Sequence, residues 1–159
     1  MDLKLIYALI LTIMPITELR VGLPIAIVYA IEHNIPIMLI FSLIILVNIL
    51  IIFFIFYFLD NLHANFMNLK FYKKIFRLYI ERFQKKMDIF EKKYRSLGFF
   101  ALILFVAIPL PGTGAWTGCL VSWLFGLDRK KSILAISIGV LIAGIFVLFG
   151  TVSFINLFF

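Results

Sequence analysis

The sequence predicts an all-α integral membrane protein. Two inverted repeats, each a re-entrant helical hairpin plus one transmembrane helix, are joined by a basic amphipathic cytoplasmic helix. Three observations predict this class. The 159 residues are 64% hydrophobic with a mean hydropathy of +1.14, where soluble domains are about half apolar. The apolar runs come in two sizes, long enough to span a bilayer or about half that. Positive charge is concentrated, with ten of the fifteen Lys and Arg but only four of the eight acids in residues 60–97. Such asymmetry between lipid-soluble segments speaks to membrane topology and excludes a nucleic-acid partner. One membrane domain is expected, with residues 1–59 as first repeat, 60–97 as linker and 98–159 as second repeat.

The first repeat opens with an apolar arm, residues 3–14. Its 12 residues cover about 18 Å as a helix, roughly half of a ~30 Å hydrocarbon core. It lacks a basic leading segment and a small-residue cleavage site, and is expected to be retained. Then comes Pro15-Ile16-Thr17-Glu18-Leu19-Arg20-Val21-Gly22-Leu23-Pro24. Proline removes a donor and clashes with the preceding turn, and the residue before it leaves the helical region. The stretch therefore reads as an extended break at membrane depth, where irregular backbone is tolerated only against protein or a cavity. A shorter arm, 25–31, follows. By length, 3–31 fits either a kinked crossing or a hairpin. Glu32-His33-Asn34 is a polar turn with His33 at the surface, and Pro36 takes the first position of the next helix. Residues 36–59 carry no charge and suffice to span. Asn48, in the middle, is expected to bond a neighbouring helix.

The linker differs in kind. Leu69, Tyr72, Phe76, Tyr79, Phe83, Met87, Phe90, Tyr94 and Leu97 recur every three or four residues, forming one stripe of a helix. Lys73, Lys74, Arg77, Lys85, Lys86, Lys92 and Lys93 fill other positions and form a surface for anionic lipid. The period also suits a dimerising coiled coil; aromatic residues at nearly every seam position favour the interface. The positive-inside rule puts this segment in the cytoplasm of a plasma-membrane protein.

The second repeat follows the same grammar. A half-length arm, 98–108, runs into Pro109-Leu110-Pro111-Gly112-Thr113-Gly114-Ala115-Trp116-Thr117-Gly118. A further arm reaches residue 127, Asp128-Arg129-Lys130-Lys131 makes a polar turn, and 132–159 is apolar. Ala135, Gly139 and Ala143 recur every four residues, a spacing that lets helices approach closely. That face serves either a homodimer or the interior of one chain. An odd number of crossings between the copies inverts the second. If 98–127 is a hairpin, Arg129-Lys130-Lys131 lies inside with the linker; if it crosses fully, the cluster lies outside, against the positive-inside bias. The hairpin is therefore expected, and 3–31 by symmetry is another.

Intramembrane ionisable residues point to function by default. In an extended break Glu18 and Arg20 share a side, so they pair or face one cavity. Burial disfavours the carboxylate and the guanidinium favours it, which makes Glu18 a candidate proton carrier. The planar fork of Arg20 suits phosphate or carboxylate. Helix N-termini after the breaks add positive dipole ends. The candidate substrate or proton site is thus Glu18 and Arg20 with Pro15, Gly22, Pro24, Pro109, Pro111, Gly112, Thr113, Gly114 and Trp116. The competing reading is structural: the charges bond each other and the freed backbone, Thr113 and Thr117 satisfy loose backbone groups, and Trp116 anchors packing. Cys119 is alone. No nucleophile–base pair, metal cluster or phosphate loop is present, so neither an enzyme nor a cofactor or metal is expected.

The P-x-x-E-L-R-x-G-x-P stretch, with A-x-P-L-P-G-T-G-A-W-T-G, resembles the small multi-drug export protein family over nearly the whole chain. That family is similar in layout to the DedA/VTT (SNARE-associated) membrane proteins. The resemblance implies inverted repeats with facing re-entrant hairpins and export of small compounds. The DedA likeness implies movement of lipid phosphates such as polyprenyl phosphate, with or without proton coupling, and Glu18 matches the acidic position of the first motif. DedA proteins carry arginines in the second break, which here has no charge. The expected function is transport of small amphipathic compounds or lipid head groups through a midplane cavity between the breaks. The alternatives are a lipid-phosphate flippase or scramblase and a non-transporting scaffold on anionic lipid. Membrane lipids and the substrate are the expected partners, with a homodimer as one arrangement.

Overall fold

Proline stops and polar turns cut the apolar chain into six described helices. The computed structural model describes residues 3–61, 98–109 and 112–158. They form α1 (Leu3–Ile13), α2 (Glu18–Glu32), α3 (Ile37–Asn61), α4 (Gly98–Ala107), α5 (Ala115–Leu124) and α6 (Arg129–Phe158), with no strand among the described residues. The expected linker helix with its seven named cations, and Pro111, lie outside the described residues.

The first break is shorter than the sequence implies. Only residues 14–17 are non-helical; α2 starts at Glu18 and contains both Gly22 and Pro24. Proline in a helix withholds one hydrogen bond, here the one owed to the Arg20 carbonyl four residues back. Burial of Leu19, Leu23, Ala26, Ile27 and Ala30 in the core keeps the helix continuous. Arg20 is therefore helical and Glu18 is the first residue of the helix, so the pair is not on an extended strand.

The first half turns back on itself rather than running on as one kinked helix. Lys4, at the start of α1, lies 2.7 Å from the Glu32 carboxylate at the end of α2. Between them Gly22 lets the two helices nearly touch: a Cβ there would meet the Ala8 carbonyl at 2.7 Å and overlap the Thr12 hydroxyl. The second half folds likewise. Gly98 at the start of α4 lies beside Leu127, just after α5, and a Cβ on Gly118 would stand 2.8 Å from Val106.

The long helices α3 and α6 run antiparallel. Asp60, near the end of α3, bonds Arg129 at the start of α6 at 2.6 Å, while Gly144 further along α6 packs on Ile45 and Phe41 of early α3. Trp123 of α5 also donates to Asp60, at 3.1 Å, and the Arg129 guanidinium lies 4.1 Å over the Phe56 ring. One end of the molecule thus gathers Asn61, Gly98 and the Arg129-Lys130-Lys131 turn. The other gathers Lys4 and Glu32. The two hairpins open at opposite ends, so their tips meet in between.

The core between these layers is apolar: Leu23, Ile27, Ile40, Ile44, Ile52, Ile136 and Val140 are sealed in. The small-residue face of α6 is used within the chain, since Ala135 and Ala143 are buried and Gly139 lies against Val106 and the Ile103 carbonyl. The outer surface is equally apolar, with Leu46, Leu50, Phe53, Phe54, Phe146 and Phe149 exposed. Ile37–Asn61 and Arg129–Leu157 are each long and apolar enough to cross a bilayer.

Candidate functional site

Interrupting helices inside an apolar body frees carbonyls at each helix end and N–H groups at each helix start, and each buried one needs a partner. Tracing those partners defines the site. At the end of α1, the Leu11 carbonyl accepts from the Thr17 hydroxyl at 2.6 Å and the Thr12 carbonyl from Asn48 Nδ2 at 3.3 Å. The Ile13 carbonyl accepts from Trp116 Nε1 at 2.9 Å, and the Met14 carbonyl from the Glu18 N–H at 3.1 Å. Three segments far apart in sequence cap one helix end.

The start of α5 is capped from the opposite hairpin. Glu18 Oε2 accepts from the Ala115 N–H and Oε1 from the Trp116 N–H, each at 3.1 Å. The carboxylate, only 3% exposed, occupies the position a capping side chain would normally fill, because residue 114 is glycine. A Cβ at Gly114 would overlap the carboxylate itself. The Gly114 N–H in turn donates to Thr117 Oγ1 at 3.0 Å.

Arg20 does the complementary work at the end of α4. Its Nη2 donates to the Thr113 carbonyl at 2.8 Å, to Thr113 Oγ1 at 2.9 Å and to the Ile108 carbonyl at 3.3 Å. The Thr113 hydroxyl also donates to the Ile108 carbonyl, at 2.7 Å. The anion therefore sits at the positive N-terminal end of α5 and the cation at the negative C-terminal end of α4, the arrangement that helix dipoles favour. This accounts for a second break without charges: it supplies helix ends, and the first supplies the charges for them.

Of the expected alternatives for Glu18 and Arg20, bonding to freed backbone is the one seen, without a pairing of the two charges. Among the described residues, the ion pairs are Lys4–Glu32 and Arg129–Asp60. The tips are in direct polar contact. Thr113, Gly114 and Trp116 join Glu18 and Arg20 at the junction. Pro15, Pro109 and Gly112 lie exposed at the tips, Gly112 with φ +84°, whereas Gly22 and Pro24 shape α2. Trp116 is a hydrogen-bond donor to α1, beyond its expected packing role. Sequence reasoning missed Thr17 and Thr12; hydroxyls flanking a proline stop were the available signal. It expected Asn48 to bond between helices, and Asn48 does so.

Glu18 enters α2 with φ +46°, a left-handed backbone that costs a non-glycine residue about 1–2 kcal/mol. Strain of this kind persists only where surrounding structure over-determines it. Here the two N–H groups of α5 fix the carboxylate.

A family model described as "Putative small multi-drug export protein" matches residues 18–146, from Glu18 through both halves of the junction. No curated protein and no solved structure matches the chain. The family match does not carry the link to DedA/VTT proteins. Matched over most of its length and containing two helices able to span a bilayer, the chain is a membrane protein of the small multi-drug export protein family.

Proposed function

We propose that the chain exports small amphipathic compounds by opening the junction between two re-entrant hairpins of inverted orientation. The observation that carries this reading is the way Glu18 and Arg20 hold the opposite hairpin by its helix ends. Ionisable residues at membrane depth mark substrate and ion pathways, and broken helices meeting between repeats are a common transporter site. Polar bonds to backbone can be made and broken without disturbing the apolar core. A proton on Glu18 would convert one accepting oxygen into a donor facing a backbone N–H, linking protonation to release of α5. In proteoliposomes, wild type is expected to move an amphipathic dye faster with a proton gradient than without one. Glu18→Gln should lose that response while remaining monodisperse; an unchanged response would remove Glu18 from the transport step.

A second reading is favoured by the completeness of the capping: the junction is a permanent lock and the protein a scaffold. Then Glu18→Gln lowers the unfolding midpoint, and no dye moves even with wild type.

We also propose a topology. The ends of the described segments flanking residues 62–97 share one end of the molecule with Lys130 and Lys131, so the positive-inside rule assigns that whole end to the cytoplasm. A cysteine at position 130 is expected to resist an impermeant thiol reagent in intact cells and to react after permeabilisation. Labelling in intact cells would reverse the orientation.

A further inference from the structure

Arg20 is only partly used by the junction. Among the described residues, every hydrogen bond of its guanidinium runs through Nη2, and its interior Nε has no partner. An arginine head carries five N–H donors, so three remain once Nη2 is assigned. Glu18 does not take them, because its two oxygens face the N–H groups of Ala115 and Trp116.

The surroundings define what could. Arg20 is half-buried; it bonds the carbonyl of exposed Ile108, which Pro109 follows, and exposed Ile16 and Val21 stand on its own side of the junction within four residues of it. The junction lies between the two ends of the molecule; on the transport reading those ends lie at the two membrane faces, and this rim then meets the level where acyl chains run. A cation there is costly unless it is compensated. A water-soluble ion reaches it only through hydrocarbon, whereas a molecule with an anionic head and an apolar tail matches both the guanidinium and its rim.

Resting on the transport reading above, we infer that Arg20 recognises an anionic amphiphile, with a phosphate or carboxylate head, that enters the tip junction from the bilayer side. The head accepts from the unused Nη1 donors, Nε being interior, and the tail lies along Ile16, Val21 and Ile108. Guanidinium is suited to such heads by its planar fork and persistent charge.

The test uses the full chain in a nonionic detergent, with tryptophan emission as the readout, since Trp116 is part of the junction. Three probes are titrated: dodecyl phosphate, inorganic phosphate and dodecyltrimethylammonium. Dodecyl phosphate is expected to bind saturably, and Arg20→Gln to weaken it at least about tenfold, as loss of a charge-assisted contact implies. Arg20→Lys should weaken it less, keeping the charge without the fork. Equal binding by Arg20→Gln, or equally tight binding of the cationic probe, overturns the inference. Inorganic phosphate binding as tightly as dodecyl phosphate also overturns it, since the ligand is then a free ion. The comparison of probes on wild type decides the matter even if Arg20→Gln fails to fold. Arg20-dependent binding without transport in vesicles removes the transport reading and keeps this one. Transport of neutral amphiphiles untouched by Arg20→Gln does the reverse.

Discussion

Glu18→Ala is expected to lower the stability of the folded chain by about 2–6 kcal/mol, because it strands two backbone N–H groups, one buried and one part-buried, at roughly 1–3 kcal/mol each. The groups are those of Ala115 and Trp116, both now held at 3.1 Å. No nearby side chain replaces the carboxylate, since residue 114 is glycine. The measurement is the unfolding midpoint in detergent. A second substitution separates the bond from the backbone strain. At φ +46° alanine retains the left-handed penalty and glycine does not, so Glu18→Gly should be milder than Glu18→Ala by about 1 kcal/mol. If the two variants match wild type, the carboxylate is not holding α5.

Gly114→Ala is the second large effect. The added Cβ would coincide with the Glu18 carboxylate, so the carboxylate leaves and the same two N–H groups lose their acceptor. A loss of about 2–6 kcal/mol is expected from those unsatisfied donors, as for Glu18→Ala. Because both substitutions break one contact, their effects should not add: Glu18→Ala with Gly114→Ala should be little worse than either alone. Groups that share a contact show coupling of about 0.5–3 kcal/mol in such cycles. Simple additivity would mean that the alanine methyl acts elsewhere.

Much of the architecture was legible because proline, glycine and charge are rare in an apolar chain. Pro15 and Pro109 marked both stops, and the uncharged run from Pro36 marked α3. The extent of the first break was not legible. Pro24 looks like a terminator, yet it stands inside α2, where burial of Leu19, Leu23 and Ala26 outweighs one missing hydrogen bond. Glu18 and Arg20 could be singled out as costly groups, but their partners could not. Those partners are backbone atoms of residues 108, 113, 115 and 116, and a sequence does not display which helix ends will face each other. The small-residue spacing in α6 was readable as a close contact, and only the position of Val106 assigned it to α4.

The capping of α1 bears on how the chain is assembled. Its carbonyls at Leu11, Thr12, Ile13 and Met14 are satisfied by Thr17, Asn48, Trp116 and Glu18. Synthesis runs from the N-terminus, so the first two local partners emerge almost at once, and Asn48 arrives with α3. Trp116 comes a hundred residues after the carbonyl it covers. Until then the N-terminal hairpin holds the Ile13 carbonyl and the Glu18 carboxylate without their final partners. The first half to be made is therefore completed by the second: the Ile13 carbonyl and the Glu18 carboxylate gain their partners only when α5 is in place.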